Sequence, residues 1–119
     1  MITLKQTVCD ALSGACDKII YGWPRDFAGE EFIAWRESGS REYAQADAAE
    51  YLAELTYALE IFARTPEEVS ALLAEADERM CGAGFRRDSA AELYDEDTSY
   101  CRVSARYRAL ADAAGNIYQ

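Results

Sequence analysis

The sequence predicts a small α+β protein, and three observations carry that prediction. Stretches whose apolar residues recur every three or four positions alternate with stretches that alternate every two. A helix start is spelled out at Thr65-Pro66-Glu67-Glu68. Half of the 119 residues are hydrophobic, including eight Tyr, four Phe and two Trp, which is enough apolar surface to close a core without metal or disulfides. A chain of this length builds one domain, spanning residues 1–119, and the periodicities give it two helices and four to five strands.

From Ile2 to Ala15, the residues Leu4, Val8, Ala11, Leu12 and Ala15 share one face of a helix that ends between Gly14 and Asp17. Lys18 to Gly22 holds the apolar group Ile19-Ile20-Tyr21, and Trp23-Pro24 then extends or turns the chain, because a residue before proline is driven out of the α region. A brief strand fits there. Glu31 to Glu37 alternates Phe32, Ala34 and Arg36 with Ile33, Trp35 and Glu37, and its aromatic and β-branched content suits a strand.

Tyr51 to Ala63 fits two templates. Its odd positions are apolar, whereas its even positions include Glu54, Thr56 and Glu60, which is the period of a strand buried on one face. Leu52, Leu55, Leu59 and Phe62 also satisfy helical spacing, and Ala, Leu and Glu favour helix intrinsically. A single helix from Ala48 to Met80 is excluded, since Pro66 in its interior would cost about 3 kcal/mol.

At Thr65 the signals converge. Thr can cap a helix, Pro suits its first position, and Glu68 completes the S/T-x-x-E box. Val69, Leu72, Leu73, Ala76 and Met80 supply the buried stripe, and Gly82 and Gly84 offer a left-handed exit. Phe85 to Ala90 reads as a strand and Glu92 to Ser99 as an acidic turn. Tyr100 to Leu110 alternates as a half-buried strand, and after the Gly115-Asn116 break, Ile117 and Tyr118 form either a frayed end or an arm that docks on a neighbour.

Twenty-two acids against twelve bases leave a formal charge of −10, which argues against a nucleic-acid grip built on phosphate neutralisation. The absence of His removes the Ser-His and Cys-His nucleophile pairs and the usual zinc ligand sets. Cys9, Cys16, Cys81 and Cys101 form no CxxC pair and read as buried or incidental thiols. No phosphate-cradling glycine loop occurs, no cofactor is implied, no apolar run is long enough to cross a bilayer, and no signal peptide is expected, so a reducing cytoplasm is the expected compartment of synthesis. The acidic pairs Glu30-Glu31 and Glu67-Glu68 and the cluster Asp95-Glu96-Asp97 read as solvated turn and helix-cap acids, and the last lacks the twelve-residue loop of an EF-hand.

The succession RESGSREYAQADAAEYLAELTYALEIFARTPEE, followed by GFRRDSAAELYDEDTSYCRVSARYRAL, resembles the tail-completion or tail-terminator proteins of long-tailed bacteriophages and prophages. The likeness spans about Phe32 to Leu110. It is carried by Tyr43, Ala46 and Asp47, by Glu54 to Ala63 running into Thr65-Pro66-Glu67-Glu68, by Gly84-Phe85-Arg86-Arg87, by Leu93-Tyr94-Asp95 with Asp97 and Thr98, and by Arg106-Tyr107. The resemblance implies an α/β domain with two helices on a mainly antiparallel or mixed sheet, and it tips Tyr51–Ala63 towards a strand. It also implies a non-enzymatic virion protein, assembled in the host cytoplasm, that caps the tail tube as a ring, a hexamer. Its partners would be the tail tube protein, head-tail connector proteins and further copies of itself, with no membrane and no sequence-specific nucleic acid.

On that reading the polar arm before Tyr51 is a mobile loop, and Tyr43, Gln45, Asp47, Arg86, Asp95, Asp97 and Arg106 are the candidate interface residues. Trp23 and Trp35 are candidates either for a subunit interface or for the core. Arg86, Arg87, Arg102, Arg106 and Arg108 would pair either with the Asp95 to Asp97 turn of a neighbour or with acids of their own sheet. Acids lining a ring lumen would keep passing DNA from adhering, and the candidates are Glu50, Glu54, Glu60 and the Asp95 to Asp97 turn. Two other functions fit less of the pattern: a head-closure component of the neck, and a small enzyme using a carboxylate-bound Mg²⁺.

Overall fold

Tyr51–Ala63, which satisfies both periods, is a strand. In the computed structural model, which describes all residues except 1, 26, 28, 45–50, 97 and 119, the order is α1 (Lys5–Leu12), β1 (Ile19–Tyr21), β2 (Glu31–Ala44), β3 (Tyr51–Ala63), α2 (Pro66–Gly82), β4 (Arg86–Asp95), β5 (Tyr100–Asp112) and β6 (Ile117–Tyr118). The sheet runs β1-β2-β3-β5-β4, and β6 pairs with β5 beyond the start of β4. Only β1 and β2 are parallel. This is the expected α+β architecture with a mixed sheet, including the brief strand β1, and β6 brings the described strands to six.

The central position of β3 explains why it is not a helix. Pairing with β2 on one side and β5 on the other satisfies its backbone along its length, and its odd positions from Ala53 to Ala63 are buried under both helices. Tertiary packing of this kind overrides the helical preference of Ala and Leu. α1 contributes Val8 and Leu12 to that layer, and α2 contributes Val69, Leu72, Ala76 and Met80. A second, smaller core of Phe32, Phe62 and Tyr100 lies on the opposite face, packed by Ile20 and Phe27.

Three elements differ from expectation. β2 continues to Ala44, so Ser38 to Ala44 of the polar arm is strand paired with β3 rather than loop; the arm's remaining residues, 45–50, lie outside the described part. A β-bulge between Glu37 and Gly39, and another between Arg87 and Ser89, shift the register by one residue each. β4 runs on to Asp95, leaving the acidic turn only the residues before Tyr100. Towards the end of the sequence, Ile117 and Tyr118 pair with Ala111 and Leu110 of the same chain rather than fraying.

The cap of α2 forms as its sequence specifies: the Glu68 N–H donates to Thr65 Oγ1 at 3.2 Å. Replacing Thr65 with Ala removes that acceptor, and we expect a loss of about 1 kcal/mol in urea unfolding. Gly84, rather than Gly82, supplies the left-handed exit, at φ +105°. The Phe85 N–H reaches back to the Met80 carbonyl at 3.0 Å, and a Cβ on Gly84 would lie 3.1 Å from Ile117 Cγ2, so the helix exit and β6 are packed on each other.

β6 is fastened by Asp112. Its Oδ1 accepts from the Ala114 and Asn116 amides, both at 2.9 Å, and its Oδ2 accepts from Asn116 Nδ2 at 3.0 Å and Tyr118 OH at 2.8 Å. The Asn116 side chain, Tyr118 and the Asn116 amide hold the Asp112 carboxyl down to about 2. A folded value below the unfolded one means that the clasp is complete above about pH 4 and is lost as pH falls through about 2. NMR titration should therefore show the Asp112 carboxyl carbon and the Asn116 amide moving together with a midpoint near 2; a midpoint near that of a free Asp would mean that the clasp does not form in solution.

Candidate functional site

Strand alternation divides the charged residues between two surfaces. On the face of the sheet away from the helices, register places four cross-strand rows side by side. Phe32, Phe62, Arg102 and Leu93 form the first, and Ala34, Glu60, Ser104 and Ala91 the second. Arg36, Ala58, Arg106 and Ser89 form the third. In the fourth, Gly39, Thr56, Arg108 and Arg86 follow, with Arg41 and Glu54 paired beyond them. Among the described residues of this face, six arginines stand against Glu54 and Glu60, with Asp88 at the bulge and Asp95 and Asp112 at the strand ends, in a chain whose total is −10.

The arginines are held differently. Arg102 lies over the Trp23 ring, 5.7 Å from its centroid, and Arg64 lies 4.0 Å from the Tyr100 centroid. Arg108 reaches Glu54 at 3.9 Å and Asp88 at 3.7 Å. Among the described residues, Arg36, Arg86 and Arg106 have no ion-pair partner. Glu60 is only 7% exposed; Ser104 Oγ donates to its Oε1 at 3.1 Å, whereas Glu60 Oε2 and the buried Nε of Arg102 lack a hydrogen-bond partner in the chain.

The opposite surface is acidic. α2 turns Glu67, Glu68 and Glu78 to solvent, with the exposed small residues Ser70, Ala71 and Ala74 between them. Its one basic residue, Arg79, is engaged: Nε pairs with Glu75 at 2.8 Å, and Nη1 donates to the Ser13 carbonyl at 2.8 Å, just past the C-terminus of α1. Asp77 accepts from Tyr107 OH at 2.9 Å and lies 3.6 Å from Arg87. Burial raises the Tyr107 hydroxyl, and the Asp77 carboxylate acts in the same direction.

Of the predicted interface residues, Arg86 and Arg106 are brought together on the arginine face. Tyr43 lies near the end of β2 opposite Leu52, and Asp95 ends β4 opposite Tyr100. Gln45, Asp47 and Asp97, like the candidate Glu50, lie outside the described residues. Trp35 is a core residue at 5% exposure, whereas Trp23 remains 53% exposed, its ring against Phe27 and Phe62. Glu60 is buried, unlike the solvated acid expected of a lumen wall, whereas Glu54 remains two-fifths exposed beside Arg108.

Arg36 and Arg41 were not among the predicted residues. The alternation of Phe32, Ala34 and Arg36 contained the signal for the first. Arg41 reaches the same face only through the bulge at Glu37/Gly39, which leaves no mark in residue type. The four cysteines are free, with Cys9 and Cys81 exposed rather than buried. Among the described residues, no group of three Cys, Asp or Glu is placed to hold a metal ion.

The described fold is similar to a chain of a solved structure described as the virion of a native gene transfer agent particle, with a TM-score of 0.63 and 12% identity over 92% of this chain and 91% of that one. At that identity the likeness is one of fold. No family model matches the sequence, and no curated protein does.

Proposed function

We propose that this chain is a non-enzymatic structural protein of a phage or phage-like virion, one that caps the tail tube as a ring, stops its growth and joins the tail to the head. The observation that carries the reading is the end-to-end likeness of fold to a chain of a gene transfer agent virion particle. It is independent of the sequence resemblance to tail-terminator proteins and falls in the same class of assembly. The segregation of charge between two opposite faces supports the same reading, because a small chain with an arginine face and an acidic face is suited to repeated contacts between like subunits.

Electron microscopy of particles from a phage or prophage lacking the gene tests this function. Overlong, headless tails are expected, because tube growth would have lost its stop. Tails of normal length beside detached or leaking heads would move the protein to the neck, and unaltered virions would overturn both roles.

A further inference from the structure

We propose that the arginine face of one copy docks on the outer ridge of α2 of a second copy, head to tail. The inference rests on the reading of the chain as a self-assembling virion protein and specifies the two surfaces that meet. Four observations carry it. The surfaces are opposite in sign: arginines dominate one, while Glu67, Glu68 and Glu78 project from the other. The ridge is also low in its middle, where the exposed Ser70, Ala71 and Ala74 leave room for long side chains from the facing surface.

Their dimensions agree as well. Glu67 and Glu78 are eleven residues apart on α2, which is about 16 Å at 1.5 Å per residue. Arg36 on β2 and Arg86 on β4 are three strand spacings apart and one row offset, or about 16 Å. Finally, the face holds groups in want of a partner, since Arg36, Arg86 and Arg106 have no ion-pair partner among the described residues.

Within one chain these two surfaces lie on opposite sides of the same sheet and can never meet. Each copy would therefore offer one of each to its neighbours. Such a contact is heterologous: repeated, it closes into a ring or continues as a filament, and it cannot stop at a dimer.

That property supplies the test, made on the full chain by light scattering and sedimentation velocity at low salt. The wild-type protein should form closed oligomers that dissociate as salt is raised. Arg36→Glu with Arg106→Glu, and separately Glu67→Lys with Glu78→Lys, should each weaken association about 100-fold or more through like-charge contact. An equimolar mixture of the two variants should then regain higher oligomers in which the variants alternate, because each native face meets its native counterpart and each reversed face meets an oppositely reversed one. The milder pair Arg36→Gln and Arg106→Gln serves if the reversed variant does not fold, and should weaken association in the same direction.

A wild-type chain that stays monomeric, variants that assemble as the wild type does, or a mixture that stays dissociated would each overturn the docking. So would binding of duplex DNA that is lost in the arginine variants while assembly persists, since the face would then belong to phosphate. Assembly through these faces combined with unaltered virions in the gene deletion would support the docking and overturn the tail role, so the two failures are distinguishable.

Discussion

Phe62→Ala should lower the free energy of unfolding by about 3–5 kcal/mol, as expected for truncating a fully buried aromatic residue. Its ring stacks on Phe32 with centroids 4.5 Å apart and an interplanar angle of 14°, and it meets Phe27, Tyr100 and Trp23 edge-on. This cluster lies on the side of the sheet that the helices do not cover, so the loss also removes what seats the Trp23 loop. Urea unfolding followed by tryptophan fluorescence reads both effects, because Trp23 should become more exposed in the native state while Trp35, in the other core, keeps its environment. A cost below about 1 kcal/mol would mean that the second cluster is surface decoration and that β3 is held by one layer alone.

Tyr57→Ala should be comparably severe, at about 3–5 kcal/mol, for two reasons that a second variant separates. The ring fills the helix-facing core between Trp35 and Phe85. Its hydroxyl accepts the Leu4 N–H at 2.8 Å and donates to Glu37 Oε1 at 2.7 Å, which ties the entry of α1 to β2. Tyr57→Phe keeps the ring and strands the buried Leu4 donor, so it should cost about 1–3 kcal/mol. Burial pushes the Tyr57 hydroxyl up to about 12, with the Glu37 carboxylate it donates to acting in the same direction. A value raised on folding means that this stabilisation is complete below about pH 10 and is lost as pH rises through about 12. The wild-type protein should therefore lose stability steeply above about pH 10, and Tyr57→Phe should lose it less steeply, with Tyr107 accounting for alkaline sensitivity that remains. Equal slopes in the two proteins would assign the alkaline transition to other groups.

How much of this was legible in the sequence depends on which interactions are local. The start of α2 was plain, because Thr65, Pro66 and Glu68 act within one turn. The alternation in β5 was equally plain, since Val103, Ala105 and Tyr107 are buried while Arg102, Ser104 and Arg106 are not. For β3, single-sequence patterning could not decide, because its Ala and Leu content serves either state and the deciding hydrogen bonds come from β2 and β5. Four of the six arginines of that face were visible as residues but not as a surface: Arg86 and Arg106 meet only because β4 and β5 pair, and Arg36 joins them across β3. The burial of Glu60 was hidden for the same reason, since burial is set by which side chains lie overhead.

The bulge at Glu37/Gly39 has a bearing on how this molecule can change length. Sheet faces follow parity, and the extra residue there reverses it, so that Arg41 rather than Glu42 joins Arg36 on one side. Inserting or deleting a single residue between Glu37 and Arg41 should undo that reversal and send Arg41 through the sheet to the acidic side, carrying its charge with it. Changes of two residues would leave sidedness intact and merely lengthen or shorten the hairpin. Reach beyond the body of the protein and the sign of the surface presented are thus separately adjustable, the first in even steps and the second in odd ones.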